Sequence, residues 1–259
     1  MKKNSGTKKL VVSLFIISTI AVFVAYIYYS SQNALNDPRI VPAKEKLLQY
    51  DRMMSELKYE EVFPLLDTVE KMIASISGYE NSFELGVVYN NRGSSYLTLS
   101  INENDSLSKF KLLDLAEKNI QKSITIYQNW IDSTKDYKEE DFLKLISPIM
   151  SKDKALQNVK NLDDIIDNYV SERMLAKIET PRRLSVAYTN LGIITRHKFL
   201  QEESLECYRK ALELWPDNHT ARNNLNMLLD KPLEERSIID QLFPKDRTKP
   251  DNQQEEAFE

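Results

Sequence analysis

The residue types that make and break bonds are thinly spread in this chain of 259 residues. There is one cysteine, Cys207, and there are two histidines, His197 and His219. A lone cysteine has no partner for an intramolecular disulfide, and two imidazoles do not by themselves complete a usual metal cage. Nothing near either histidine suggests a Cys-His nucleophile, so Cys207 reads as a small buried side chain. The acids that stand close in sequence are Glu139, Glu140 and Asp141, then Asp163, Asp164 and Asp167. Such groups can do acid-base or metal chemistry, and the same runs at helical spacing are the signature of a solvated helix face. An envelope enzyme or enzyme subunit with its site in residues 131–180 is therefore one reading, and it requires these acids to converge in a concave pocket. Nucleotide chemistry is disfavoured, because neither G-x-G-x-x-G nor G-x-x-x-x-G-K-[ST] occurs. No catalytic, cofactor-binding or metal-ligating residue is assigned, and no cofactor is implied.

The elements that would position any site are helices. A chain that is 42% hydrophobic and 29% charged can fold around a core, yet it holds only Gly6, Gly78, Gly86, Gly93 and Gly192, where ordinary usage would supply about 18 glycines. Tight strand-to-strand turns lean on glycine, so its scarcity predicts an all-α fold.

The net charge of −4 averages two unlike parts. Residues 1–30 carry Lys2, Lys3, Lys8 and Lys9 and no acid, so of 35 bases and 39 acids, 31 and 39 remain beyond, a net −8. An acidic bulk does not favour a nucleic-acid surface. Residues 10–29, LVVSLFIISTIAVFVAYIYY, contain no charge, glycine or proline. A helix of that length spans about 30 Å, the thickness of the hydrocarbon core, so residues 10–30 read as a single transmembrane helix, with Tyr26, Tyr28 and Tyr29 as an interfacial anchor. A cleaved signal peptide is the competing reading. The apolar run is long for one, and Tyr28 or Tyr29 would fall at −3 of the available cuts. The lysines before the helix place the N-terminal stub, residues 1–9, in the cytoplasm and the remainder outside it, on the periplasmic side of a bacterial inner membrane.

Beyond a linker at residues 31–41, a domain spans 42–242. Its plainest segment is residues 185–230, beginning SVAYTNLGIITRHKFLQEESLECYRKALELWPDN. Counting Ser185 as position 1, Tyr188 stands at 4, Leu191 and Gly192 at 7 and 8, Thr195 at 11, Ser204 at 20, Tyr208 at 24, Ala211 at 27 and Pro216 at 32. This pattern resembles a tetratricopeptide repeat, departing clearly only at Thr195, where the family has an aromatic. The resemblance implies a solenoid of helical hairpins, with a repeat at 185–218 and a cap helix at 219–230. Physically, Gly192, Ser204 and Ala211 let two antiparallel helices approach while Tyr188, Leu191 and Tyr208 fill the gap. A degenerate copy lies at 86–127, with Tyr89, Gly93 and Tyr96 at positions 4, 8 and 11 and Ala116, Ile120 and Ser123 on the partner helix. The interval from Gly93 to Ala116 is 23 residues instead of 12, an insertion of about 11.

Residues 42–77 show apolar residues at helical spacing and read as a further helix pair. In residues 131–180 a helix from Glu139 is expected to end before Pro148, and another to cover 153–178. Thr180 and Pro181 read as N-cap and first position of the helix entering the clear repeat. The tail, 243–259, has two prolines, many charges and no periodicity, and reads as disordered.

The resemblance implies that the first helix of each repeat lines a concave face. Its inward positions 2, 5, 9 and 12 are Val186, Thr189, Ile193 and Arg196, and upstream Val87, Asn90, Ser94 and Leu97; Asn190 could join them by bonding a peptide backbone. The expected function is a membrane-anchored scaffold or adaptor that binds a peptide or helix of a protein partner in this groove, in the assembly or maintenance of a membrane or envelope complex. Residues 221–225, Ala-Arg-Asn-Asn-Leu, resemble the accessory repeat proteins found with MoxR-type ATPases and von Willebrand factor A proteins. A structural subunit of a homo- or hetero-oligomeric membrane assembly is the third reading.

Overall fold

The structure is a computed structural model that describes residues 35–235. Every regular element among these residues is an α-helix, as the scarcity of glycine leads one to expect. In order they are α1 (Val41–Ser55), α2 (Val62–Ala74), α3 (Phe83–Asn102), α4 (Ser106–Thr134), α5 (Glu139–Lys152), α6 (Leu162–His197), α7 (Gln201–Leu214) and α8 (His219–Leu228). The basic stub, the apolar run at 10–30 and the tail at 243–259 lie outside the described residues. Among the described residues no helix is long and apolar enough to cross a membrane.

The most extensive helix contacts are α3 on α4 and α6 on α7, and α4 also packs broadly on α6. Short links make both partnerships antiparallel. Residues 103–105 join α3 to α4, and the Asp105 carboxylate accepts a bond from the Ser108 amide at 2.8 Å to cap the new helix. What lets the helices close up is missing side chain. A Cβ at Gly192 would stand 2.5 Å from Tyr208 Cε1, and one at Gly93 would stand 2.6 Å from Ile120 Cδ1. Carbon atoms do not approach so closely, so only glycine admits these partners. Hydroxyls stitch the same seams: Ser204 Oγ donates to the Gly192 carbonyl at 2.7 Å, Ser185 Oγ to the Ala211 carbonyl at 2.6 Å, and Ser123 Oγ to the Gly86 carbonyl at 2.7 Å. The eleven additional residues of the first pair lie in its helices, since α3 has 20 residues and α4 has 29, against 14 in α7.

Two apolar clusters result. One joins α1, α2, the start of α3, α5 and the N-terminal half of α6, with Leu66, Ile73, Tyr79, Phe142, Met150 and Ile166 among its buried members. The other joins α3, α4 and the C-terminal half of α6 through Leu113, Ala116, Ile120, Tyr127, Leu184 and Ile194. The segment at 37–40, read from sequence as linker, is fixed to the first cluster. Ile40 is buried, and the Arg39 guanidinium holds Asp37 at 2.7 Å and Asp153 at 2.6 Å.

Two prolines overturn the expected boundaries. α5 continues through Pro148 to Lys152, and Pro181 lies inside the 36-residue α6, so Thr180 caps nothing and no separate helix ends near 178. A proline in a helix interior costs roughly 3 kcal/mol and one donor. In α6 the flanks outweigh that cost. Ile165, Ile166, Tyr169 and Val170 are buried before the proline and Leu184, Ala187 and Ile194 after it, at roughly 1.5–3 kcal/mol for each large apolar side chain.

Gly192→Ala is therefore expected to lower unfolding stability by about 1–3 kcal/mol, because the Tyr208 ring has to move. Pro181→Ala restores a main-chain donor to a helix held straight from both ends, and should raise stability by about 1 kcal/mol. Urea midpoints of the two variants decide the matter. An unchanged midpoint for the first would refute the close-contact account, and a lowered one for the second would show that the proline ring is itself a packing element.

Candidate functional site

The face expected to carry function is built from α3 and the second half of α6. Asn90 and Asn190, 100 residues apart, are brought together: Asn190 Nδ2 donates to Asn90 Oδ1 at 3.1 Å. Val87 and Val186 lie one turn before them, and Ser94 and Ile193 one turn after, at the spacing that puts side chains on one helix face. Val186 is exposed, and Val87, Ser94 and Ile193 are half-buried. Val87 also lines a depression of about 340 Å³ with Lys44 and Leu47 of α1 and Leu175, Glu179 and Arg183 of α6. The Lys44–Glu172 ion pair, at 2.8 Å, lies at this depression too.

Two of the nine positions serve the interior. Leu97 is 5% exposed and packs in the second cluster. Thr189 is 2% exposed; its hydroxyl donates to the Ser185 carbonyl at 2.8 Å and accepts from Asn218 Nδ2 at 3.0 Å. Asn218 also caps α8 by accepting from the Ala221 amide, so Thr189 ties α6 to the last helix. Arg196 stands apart from the two asparagines. Its Nη1 reaches Met227 Sδ at 3.1 Å, and it borders a surface depression of about 590 Å³ with Leu205 and residues 227–229.

The acids singled out in sequence occupy other places. Glu139 and Glu140 lie in the first turn of α5, and Asp163 and Asp164 in the first turn of α6, where carboxylates suit the helix dipole. Asp141 accepts the Lys138 amide at 2.9 Å, a capping bond. Asp167 is exposed on α6. Among the described residues no three His, Cys, Asp or Glu side chains converge as metal ligands. Cys207 is buried between helices, and burial pushes its thiol up to about 11, which keeps it protonated and unreactive at neutral pH.

Sequence reasoning missed the most distinctive polar group. Arg173 of α6 is 2% exposed and pairs with Glu84 of α3 at 2.9 Å. Three rings surround the guanidinium, with centroids at 4.3 Å for Tyr169 and 4.9 Å for both Phe83 and Tyr79. A signal was present: Arg173 falls on the apolar stripe of α6, four residues after Tyr169, and Glu84 sits between Phe83 and Leu85. A charge on a buried stripe demands a partner. Burial alone would raise the Glu84 carboxyl, but the Arg173 charge and hydrogen bond outweigh it and hold the carboxyl below its ordinary value.

The sign of the pH dependence follows. A carboxyl depressed in the folded state contributes stability above its unfolded value, about 4.3, and loses it as pH falls through the folded value. Glu84→Gln leaves the guanidinium buried without a counter-charge, so it should cost about 3–5 kcal/mol at pH 7. The deficit should shrink as pH drops below about 4 and Glu84 is protonated in the parent. Unfolding curves of both proteins across that range test this, and a deficit independent of pH contradicts the assignment.

Comparison of this chain with protein-family models, with curated proteins and with solved structures returns no match.

Proposed function

We propose that the chain is a tetratricopeptide-type scaffold, tethered to a membrane by residues 10–30, that binds a protein partner on the face shared by α3 and the second half of α6. One observation carries the reading. The contacts between α6 and α7 recur between α3 and α4 at matching positions. Tyr208 against Gly192 corresponds to Ile120 against Gly93 once the eleven inserted residues are allowed for. The Ser185–Ala211 bond corresponds to the Ser123–Gly86 bond with the hydroxyl moved to the other helix. A recurrent seam of this kind is what a repeat requires, because each hairpin buries its inner face only by stacking on the next.

The tether would confine the domain to the bilayer surface and raise the effective concentration of a partner held in the same membrane. Nothing in this mode of action requires a bond to be made or broken. The mixed character of the face, with valines beside the Asn90–Asn190 pair, suits a peptide backbone that needs both apolar contact and hydrogen bonds.

The experiment is photocrosslinking from Ser94 and Val186 of the full chain, in native membranes at natural abundance, with copurified proteins identified by mass spectrometry. A discrete protein adduct is expected, and Val186→Glu should reduce it about tenfold while leaving the melting temperature unchanged. The absence of any adduct, or an adduct indifferent to the substitution, would count decisively against a partner on this face.

A further inference from the structure

A second concavity lies away from that face, where the α2–α3 turn, the end of α4, α5 and the first half of α6 meet. Its volume is about 360 Å³, and none of the nine residues of the partner face lines it. Half of the lining residues are aromatic or aliphatic, including Trp130, Tyr137, Phe142 and Ile146; its buried charge is Arg173, and Glu80 adds an exposed carboxylate. We propose that this cavity binds the carboxylate of a small apolar acid, with Arg173 as the group that receives it.

The argument rests on donors without acceptors. Glu84 occupies Arg173 Nη1, while Nε and Nη2 are buried and have no hydrogen-bond partner. These two nitrogens share one edge of the planar guanidinium and present parallel N–H bonds, the fork that a carboxylate fills with both oxygens. The surrounding rings do not replace it. They lie within 5 Å of the guanidinium and respond to its charge, yet a ring over the face of the plane accepts no bond from N–H groups lying in the plane. Tyr79 Oη, whose ring flanks the guanidinium, is also buried without a partner. An orphaned buried donor is destabilising, and native interiors leave few of them. Elsewhere among the described residues such atoms stand one to a residue, on Arg92, Thr180, Arg183, Tyr208 and His219, whereas Arg173 has two and Tyr79 a third beside them, at a cavity with room for an acceptor.

Charge and size narrow the occupant. Arg173 is balanced by Glu84, but Lys177 Nζ is bonded to the carbonyls of Lys135 and Tyr137, at 2.9 and 2.6 Å, and Tyr137 is part of the wall. Glu80, exposed in the same wall, accepts the Gly78 amide at 2.8 Å and offsets the Lys177 charge, so the lining is close to neutral and suits a monoanion at the Arg173 fork and not a phosphate dianion. Of the rings in the wall Tyr169 carries the guanidinium, and Trp130, Tyr137 and Phe142 remain to line the apolar body of a ligand. The volume lies at the small end of ligand pockets, so the body is a single aromatic or branched apolar group. A free organic acid and the C-terminal carboxylate of a polypeptide offer the same chemistry.

The full-length protein in detergent is titrated calorimetrically with phenylacetate, phenylacetamide, acetyl-Gly-Phe and acetyl-Gly-Phe-amide. Saturable heat is expected for at least one acid, with its amide weaker by about tenfold or more. Binding of phenylacetate alone assigns a free acid, and binding of acetyl-Gly-Phe alone assigns a polypeptide terminus. Leu145 is 54% exposed and lines the mouth. Leu145→Trp should abolish the heat with melting unchanged, and Arg173→Lys, which keeps the charge and removes the fork, should weaken it about tenfold. If Arg173→Lys does not fold, the mouth variant carries the test. No saturable heat from either acid up to about 10 mM, amides that bind as well as acids, or binding that survives Leu145→Trp would overturn the proposal.

Discussion

A guanidinium taken out of water must find its compensation inside the fold, and at Arg173 that demand fixes where three parts of the chain stand. The idealised cost of such a transfer is far larger than the stability of a domain, and even after relaxation it is several kcal/mol. Compensation comes from Glu84 in the first turn of α3, from Tyr79 in the turn before it, and from Tyr169 one turn earlier on α6. None of these can shift without exposing the charge to an apolar wall. Burial of either ionic partner alone would be worse than burial of neither, so the pair acts as a register pin between α3 and α6.

That pin explains why α6 stays whole across Pro181. Its first half is held by Arg173 and by the cluster it shares with α1, α2 and α5, and its second half by the Gly192–Tyr208 seam and the contact with α4. A break at the proline would let the halves pivot, and each would then lose contacts that exist only when both are seated. Because α6 belongs to both clusters, the geometry of the last hairpin is set partly by a buried charge well upstream. The Asn90–Asn190 contact reports the same alignment further along the helix pair.

The parts of this arrangement legible in the sequence are those governed by spacing along one helix. Gly93, Gly192, Tyr208 and Ile120 announce themselves because a close helix crossing needs a missing side chain opposite a large one, and that pattern survives an insertion. The courses of α5 and α6 through Pro148 and Pro181 were not legible, since a proline stops a helix by a local rule while the burial that overrides it comes from residues far away in the chain. Leu97 and Thr189 illustrate the same limit on the candidate face. Repeat position gives the direction of a side chain relative to its own helix, but whether that direction meets solvent depends on where α4 and α8 lie. The Arg173–Glu84 pair spans 89 residues, and its only trace is a charge on each of two apolar stripes.

The division of labour in the molecule follows from where its regular packing is interrupted. In the two matching hairpins the polar groups of the seams are nearly all spent: Ser123, Ser185, Ser204 and Thr189 each donate to a carbonyl. Such seams fix backbone spacing, and the buried polar atoms left without partners around them stand one to a residue, on Arg92, Thr180, Arg183, Tyr208 and His219. Arg173, with two such atoms, and Tyr79 stand instead beside the excursion formed by α5 and the first half of α6, where the chain leaves the hairpin pattern. Among the described residues only Arg173 leaves two donors of one side chain unanswered, and chemistry that enters its cavity is what would complete it.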